Sequence, residues 1–224
     1  PSALPFDAGW QTPMALDDPG IARVVAAFAA AATRALDIDM QVLEIHAAHG
    51  YLLHEFLSPL SNTRTDRYGG SFDNRTRLLR DVVAAIRRVW PEHAPLFVRI
   101  SSTDWVDGGW TLDESVELAR LLESDGVDLV DCSSGGNVHG VRIPIGPGYQ
   151  AQFSERVRRE AGIATGAVGL ITGAGQADTI IRSGQADVVF LARELLRDPH
   201  FALRAARELG QEIAWAPQYV RAKL

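Results

Sequence analysis

The stretch "QVLEIHAAHGYLLHEF", Gln41 to Phe56, is where the fold is decided. Its first seven residues read as a short strand: Val42, Glu44 and His46 alternate with Leu43 and Ile45, so the two sets lie on opposite faces. Four further apolar, β-branched runs follow, at Pro95 to Ser101, Val127 to Ser133, Ala164 to Ile171 and Ala186 to Ala192. Segments of helical period lie around and between them, at Asp18 to Leu36, Asp73 to Val89, Leu112 to Ser124, Ser154 to Ala161, Gln176 to Ser183 and Glu194 to Leu209. Asp73 and Asp113 are suited to cap their helices, and Pro91 and Gly126 to follow helix ends. Strand–helix repetition predicts a parallel sheet with helices outside it. The pattern supplies five such units, whereas a closed (β/α)8 barrel has eight over ~250 residues. Two architectures satisfy it: an open, five-stranded doubly wound sheet, or the C-terminal portion of a TIM barrel whose first three strands lie outside this chain. No Gly-x-Gly-x-x-Gly follows the first strand, which argues against a dinucleotide-binding sheet.

The 224 residues, 46% hydrophobic and 22% charged, suit a globular chain with a substantial core. A net charge of -6 offers no basic surface to nucleic acid or to an anionic membrane. The apolar run "VVAAFAAAA" breaks at Thr33 and Arg34 and reads as too short for a membrane span, and no basic-then-apolar leader is seen. The single cysteine, Cys132, excludes an internal disulfide and a cysteine-based zinc cluster, and fits a reducing, cytoplasmic compartment. Lys223 is the only lysine, so none is available inside the fold for Schiff-base chemistry.

Three of the six histidines, His46, His49 and His54, fall in one short stretch, with Tyr51 among them. His46 ends the first strand, where parallel α/β folds place their active sites. With Glu44 or Glu55 the three could be drawn as a zinc set, but His-Glu-x-x-His spacing is absent. The other reading is hydrogen-bond donation by neutral imidazoles to a substrate oxygen, with the tyrosine as a weak acid beside them. His54, in the apolar "YLLHEFL", reads as packing. Arg99, inside "LFVRIS", should meet an anion or an electron-rich ligand, or else form a structural ion pair, for example with Glu44. The glycines of "GAVGLITGAG" and Arg193 after the last strand suit a phosphate. "CSSGG" is a small-residue loop open to close approach. The long polar stretch Leu60 to Leu79 reads as a solvated loop leading into a helix.

Taken together, "EIHAAHGYLLHEFLSPLSNTRTDRYGGSFDNRTRLL", "LFVRIS", "DCSSGG", "ATGAVGLIT" and "ARELLRDP" resemble the Old Yellow Enzyme family of FMN-dependent ene-reductases, in its smaller, thermophilic-like subclass. The resemblance runs across nearly the whole chain and matches the family's C-terminal part. It implies an eight-stranded barrel, with residues 1–224 as the C-terminal portion of a single FMN-binding domain. It implies that His46 and His49 bind a substrate carbonyl oxygen and that Tyr51 is the proton donor. Arg99 matches the arginine beside the flavin's pyrimidine edge, Ser134 and Gly135 the loop lining the flavin, and Gly169, Ala192 and Arg193 the phosphate-binding segment. Arg221, in "QYVRAKL", matches an arginine that reaches into a neighbouring subunit, which implies a homodimer or homotetramer. The implied reaction is reduction of FMN by NADPH or NADH, then reduction of the C=C bond of an α,β-unsaturated carbonyl compound. No metal is assigned.

Two departures from the family pattern carry expectations. Asp39 stands near a usual glycine and should tolerate left-handed geometry at some cost. "TGAGQ" replaces an Asp-Pro pair and should loosen the start of its helix. Two alternatives accompany the enzyme reading: an incomplete barrel inactive alone, which could associate with a complementary N-terminal fragment, and a histidine-ligated metal hydrolase.

Overall fold

The computed structural model describes residues 1–223. Helix α1 spans Asp18–Asp37. The Asp17 carboxylate accepts from the Gly20 N–H at 2.8 Å, and proline stands in the first turn, where its missing N–H costs nothing. By length and composition alone α1 could cross a membrane, against the shorter apolar run read from the sequence. It packs on α3 (Phe72–Arg87), however, and carries Arg23 and Arg34. Past its end Asp39 takes φ 58°, the left-handed geometry expected there.

Strand β1 (Leu43–Ala47) leads into a short helix α2 (Leu52–Leu57) that the sequence reading did not separate from its loop. The remaining units are β2 (Leu96–Ser101), α4 (Leu112–Ser124), β3 (Leu129–Ser133), α5 (Ala151–Ala161), β4 (Ala164–Val168), α6 (Ala174–Arg182) and β5 (Val188–Phe190). Two helices close the chain where one was predicted: α7 (Arg193–Arg197) and α8 (Phe201–Glu208) are separated at "DPH", because proline cannot continue the α7 ladder. A 3-10 turn over Pro217–Ala222 follows.

Two helices start on other residues than the sequence suggests. Ser71 and Thr111, not Asp73 and Asp113, are the caps; the two aspartates sit in the first turns, where they face the positive helix ends. Thr111 and Glu114 form a reciprocal capping box. The Leu60 to Leu79 stretch is also more than a solvated loop. Asn62 is buried and donates to the Phe56 and Tyr68 carbonyls, both at 2.7 Å, and buried Arg75 pairs with Glu114 at 2.5 Å.

All five strands are parallel and lie in the order β1-β2-β3-β4-β5. A doubly wound sheet reverses strand order at a switch point; this one does not. The main core lies between the sheet's outer face (Ile45, Leu96, Val98, Ile100, Val130, Cys132) and the helices (Val82, Ile86, Leu118, Leu122, Val157). On the other face, Glu44 and His46 are exposed and Phe97 and Arg99 half-buried. That face is concave. Strands β2 and β5 are three strand spacings apart, about 14 Å on a flat sheet. Yet the Phe97 and Phe190 rings meet edge to face at 6.4 Å, and the Arg99 guanidinium lies 5.6 Å from the Phe190 ring. Gly166 permits this: a Cβ there would sit 2.2 Å from the Phe190 ring. The sheet is therefore the wall of a (β/α)8 barrel, present over five of its units.

Candidate functional site

Parallel strands bring all their C-terminal ends to one rim. His46, the last-but-one residue of β1, lies on the concave face with Glu44, the pairing that alternation predicts. The turn that follows is tight: His49 has φ 59° and Gly50 φ 73°. The His49 N–H donates to Ser101 Oγ at 2.9 Å, anchoring the turn to β2. The turn brings the predicted trio together. The His46 ring lies 5.1 Å from His49 and 5.3 Å from Tyr51, centroid to centroid. Tyr51 is 64% exposed. His49 Nε2 is 2.5 Å from Ser133 Oγ, so an oxygen already stands within hydrogen-bond reach of that ring.

Both imidazoles are held neutral near pH 7. Burial, then the charges of His46 and Arg99, push His49 down to about 4; burial and Arg99 lower His46 as well. Among the described residues no three His, Cys, Asp or Glu side chains are gathered for a metal ion.

Arg99 lies level with His46 on one side and Asp131 on the other. Its Nε is 3.2 Å from Glu44 Oε1, the ion pair read as its structural alternative, and its guanidinium also contacts the Asp131 carboxylate. Asp131 went unnoticed in the sequence, although a lone charge within "VDLVDCS" is the same signal that marked Arg99. Burial raises the Asp131 carboxyl to about 7 against the pull of Arg99, with Glu44 raising it further. Burial lifts Glu44 too, again opposed by Arg99. Arg99 keeps 24% of its side chain open to the concave face.

Gly169, Ala192 and Arg193, separated in sequence, line one cleft at the ends of β4 and β5, with Thr172, Phe190 and Glu194. Gly169 has φ 121°, and a Cβ there would come within 2.9 Å of Tyr149 and 2.8 Å of Gln150 Nε2. Among the described residues neither α6 nor α7 has a side-chain cap, which leaves their first N–H groups open to a ligand; α6 starts at Ala174 with Gly173 as its N-cap. Ser134 is buried and donates to Gln150 Oε1 at 2.6 Å, while Gln150 Nε2 donates to the Val168 carbonyl at 2.8 Å. Gln150, also missed, thus ties the Ser134–Gly135 loop to the Gly169 cleft. Gly135 has φ 69° and donates its N–H to Thr103 at 2.9 Å. Arg221 is exposed in the 3-10 turn and makes no ion pair among the described residues.

A glycine cleft with uncapped helix ends, a guanidinium facing a concave wall and a histidine–tyrosine group share one rim. Residues 5–212 match the model of the NADH:flavin oxidoreductase / NADH oxidase family. The chain belongs to this family. It is 50% identical over 222 residues to an NADPH dehydrogenase of Bacillus velezensis, with 99% of this chain and 65% of that protein covered. The chain thus spans about 65% of the length of that curated relative. A 2-naphthoyl-CoA reductase in complex with 2-naphthoyl-CoA superposes with TM-score 0.85 at 25% identity, over 94% of this chain and 33% of that one. Morphinone reductase does so with TM-score 0.73 at 26% identity, over 93% and 55%. These findings bear out the Old Yellow Enzyme resemblance and the barrel. FMN and a nicotinamide nucleotide are the cofactors that go with this flavin oxidoreductase family. The residues present fit FMN: Gly169 lines the cleft with bare backbone, and the uncapped start of α6 with Arg193 suits its phosphate.

Proposed function

We propose that the protein is an ene-reductase in which NADPH or NADH reduces FMN and the C=C bond of an α,β-unsaturated carbonyl compound is then reduced. The grouping of His46 with His49 and Tyr51, at ring separations of 5.1 and 5.3 Å, carries this reading. The 224 residues form the C-terminal portion of one barrel domain, in keeping with five sequential strands and the 65% coverage of a relative. FMN would be held by Gly169, Ala192 and Arg193 at its phosphate, by the Ser134–Gly135 loop, and by Arg99 at its ring edge. When bound and reduced, it supplies the hydride.

The chain's own residues orient and protonate. Neutral His46 and His49 donate to the substrate carbonyl oxygen and polarise the double bond. Tyr51, exposed beside them, gives its phenolic proton to the α-carbon. Arg221 reaches the site of a neighbouring subunit in a homodimer or homotetramer, and the protein works in the cytoplasm.

Tyr51→Phe tests this. It should slow the enone half-reaction by ~10²-fold or more, the scale of a lost general acid, and spare flavin reduction by NADPH. Equal loss in both half-reactions would contradict the assignment. The open concave face, with Glu44 and His46 exposed, favours a second reading for the chain in isolation: an inactive barrel portion that pairs with an N-terminal fragment. An intact mass and a visible spectrum of one sample separate the two. A single 224-residue species with a flavin spectrum sinks the fragment reading.

A further inference from the structure

The His54 side chain is fully buried, as its apolar segment implies. It is also the partner of the left-handed turn at His49 and Gly50. Gly50 donates its N–H to His54 Nδ1 at 2.9 Å. That nitrogen therefore carries no proton, and the proton of the neutral ring is on Nε2. His54 Nε2 lies 3.0 Å from Asp104 Oδ1; the contact is off ideal hydrogen-bond geometry, but among the described residues neither atom has another partner. The other Asp104 oxygen accepts from Ser58 Oγ at 2.6 Å and from the Trp110 N–H at 2.8 Å. Asp104 stays below the usual carboxylate range: burial acts to raise it, and His54 and these donors outweigh that.

The geometry explains why a histidine stands there. Two successive left-handed residues, His49 and Gly50, are needed to swing Tyr51 back beside His46. A histidine at φ 59° is strained. From one side Gly136 presses on the turn: a Cβ on Gly50 would lie 2.2 Å from its carbonyl oxygen. From the other side His54, at the third position of α2, reaches back to the Gly50 N–H, much as the acidic residue of a capping box reaches back to its cap. Tyr51, the N-cap of α2, makes no side-chain cap bond of its own and stays free.

We propose that His54 is a positioning residue, which through Nδ1 holds the His49–Gly50–Tyr51 turn in its reactive geometry, and that Asp104 selects the tautomer that lets it do so. This rests on the reading of His49 and Tyr51 as site residues. Two near-isosteric variants divide the contacts. In His54→Asn the amide oxygen can stand where Nδ1 stood and keep the Gly50 bond, losing Asp104. In His54→Gln the amide can reach Asp104 but no longer meets Gly50.

Amide hydrogen exchange in the full chain is the readout. Gly50 exchange should quicken about tenfold or more in His54→Gln and stay within about threefold of wild type in His54→Asn, the scale of one lost hydrogen bond. In the flavin-loaded protein, kcat for the enone step should fall with His54→Gln and recover with His54→Asn. Unchanged Gly50 exchange in His54→Gln, or equal loosening in both variants, overturns the proposal. Should neither variant fold, nitrogen NMR of wild-type imidazoles decides: a proton on Nε2 alone supports the proposal, and any proton on Nδ1 overturns it. The site reading fails separately, if Tyr51→Phe leaves the enone step unchanged while the Gly50 exchange result stands.

Discussion

Asp131 is the residue whose chemistry is most open to test. Its carboxyl sits at about 7 in the fold against an ordinary 3.8. Between these values the folded protein holds a proton that the unfolded chain has released. The stability this gives is fully present below about 3.8 and is lost as pH rises through about 7. His49 acts in the opposite sense. With about 4 in the fold against 6.5, the unfolded chain binds the extra proton, and stability falls as pH drops from 6.5 towards 4. Comparing Asp131→Asn with wild type isolates the first effect. The melting-temperature difference should move in favour of the asparagine variant as pH rises from about 4 to about 8; a pH-independent difference would mean that Asp131 ionises normally. Strand parity made it legible that His46 and Glu44 share a face, because alternation is a local property of extended backbone; the bend of the sheet decided that this face is the concave one. The two-sided grip of Asp131 and Glu44 on Arg99 was only half legible, since nothing in one strand tells which carboxylate a neighbouring strand will set level with it.

At the scale of elements, the helices are held by caps that sequence rules describe well but place imperfectly. Thr111→Ala removes one half of the α4 capping box and should cost about 1 kcal/mol of stability in chemical denaturation. Asp113→Ala, within the first turn and not at the cap, should cost clearly less. Gly166 is a different case. Its Cβ would meet the Phe190 ring at 2.2 Å, where that ring is already packed against Phe97 and Arg99. Gly166→Ala should therefore destabilise by roughly 1–3 kcal/mol through overpacking, and near-ultraviolet circular dichroism should report the displaced rings. All five strands and helix α4 lie where the sequence placed them, because apolar period and turn residues are written locally. The break between α7 and α8 was missed although the proline that causes it was visible, and α2 was missed because six residues carry too little periodicity.

For the whole molecule, the decisive facts are strand order and curvature. Sequential parallel order excludes the doubly wound alternative, and the Phe97–Phe190 contact shows the sheet bent as a barrel wall. Gly169, Ala192 and Arg193 share a cleft only because β4 and β5 are neighbours in that wall. Arg221 stands exposed at the far end of the chain. In the assembled, flavin-loaded protein, Arg221→Ala should raise the enone KM and leave flavin content intact; a variant that loses its flavin would show that the tail serves its own subunit. The sequence by itself determined the βα alternation, the face on which His46 lies and the family to which the chain belongs, because each is carried by short-range pattern and by long runs of matching residues. Only the tertiary structure decided that Arg99 sits between two carboxylates, that Gln150 bridges two rim loops and that His54 grips the Gly50 amide. Those contacts join groups on different strands or across a tight turn, and their partners are fixed by how the sheet curves and how the turn folds back, which no single segment encodes.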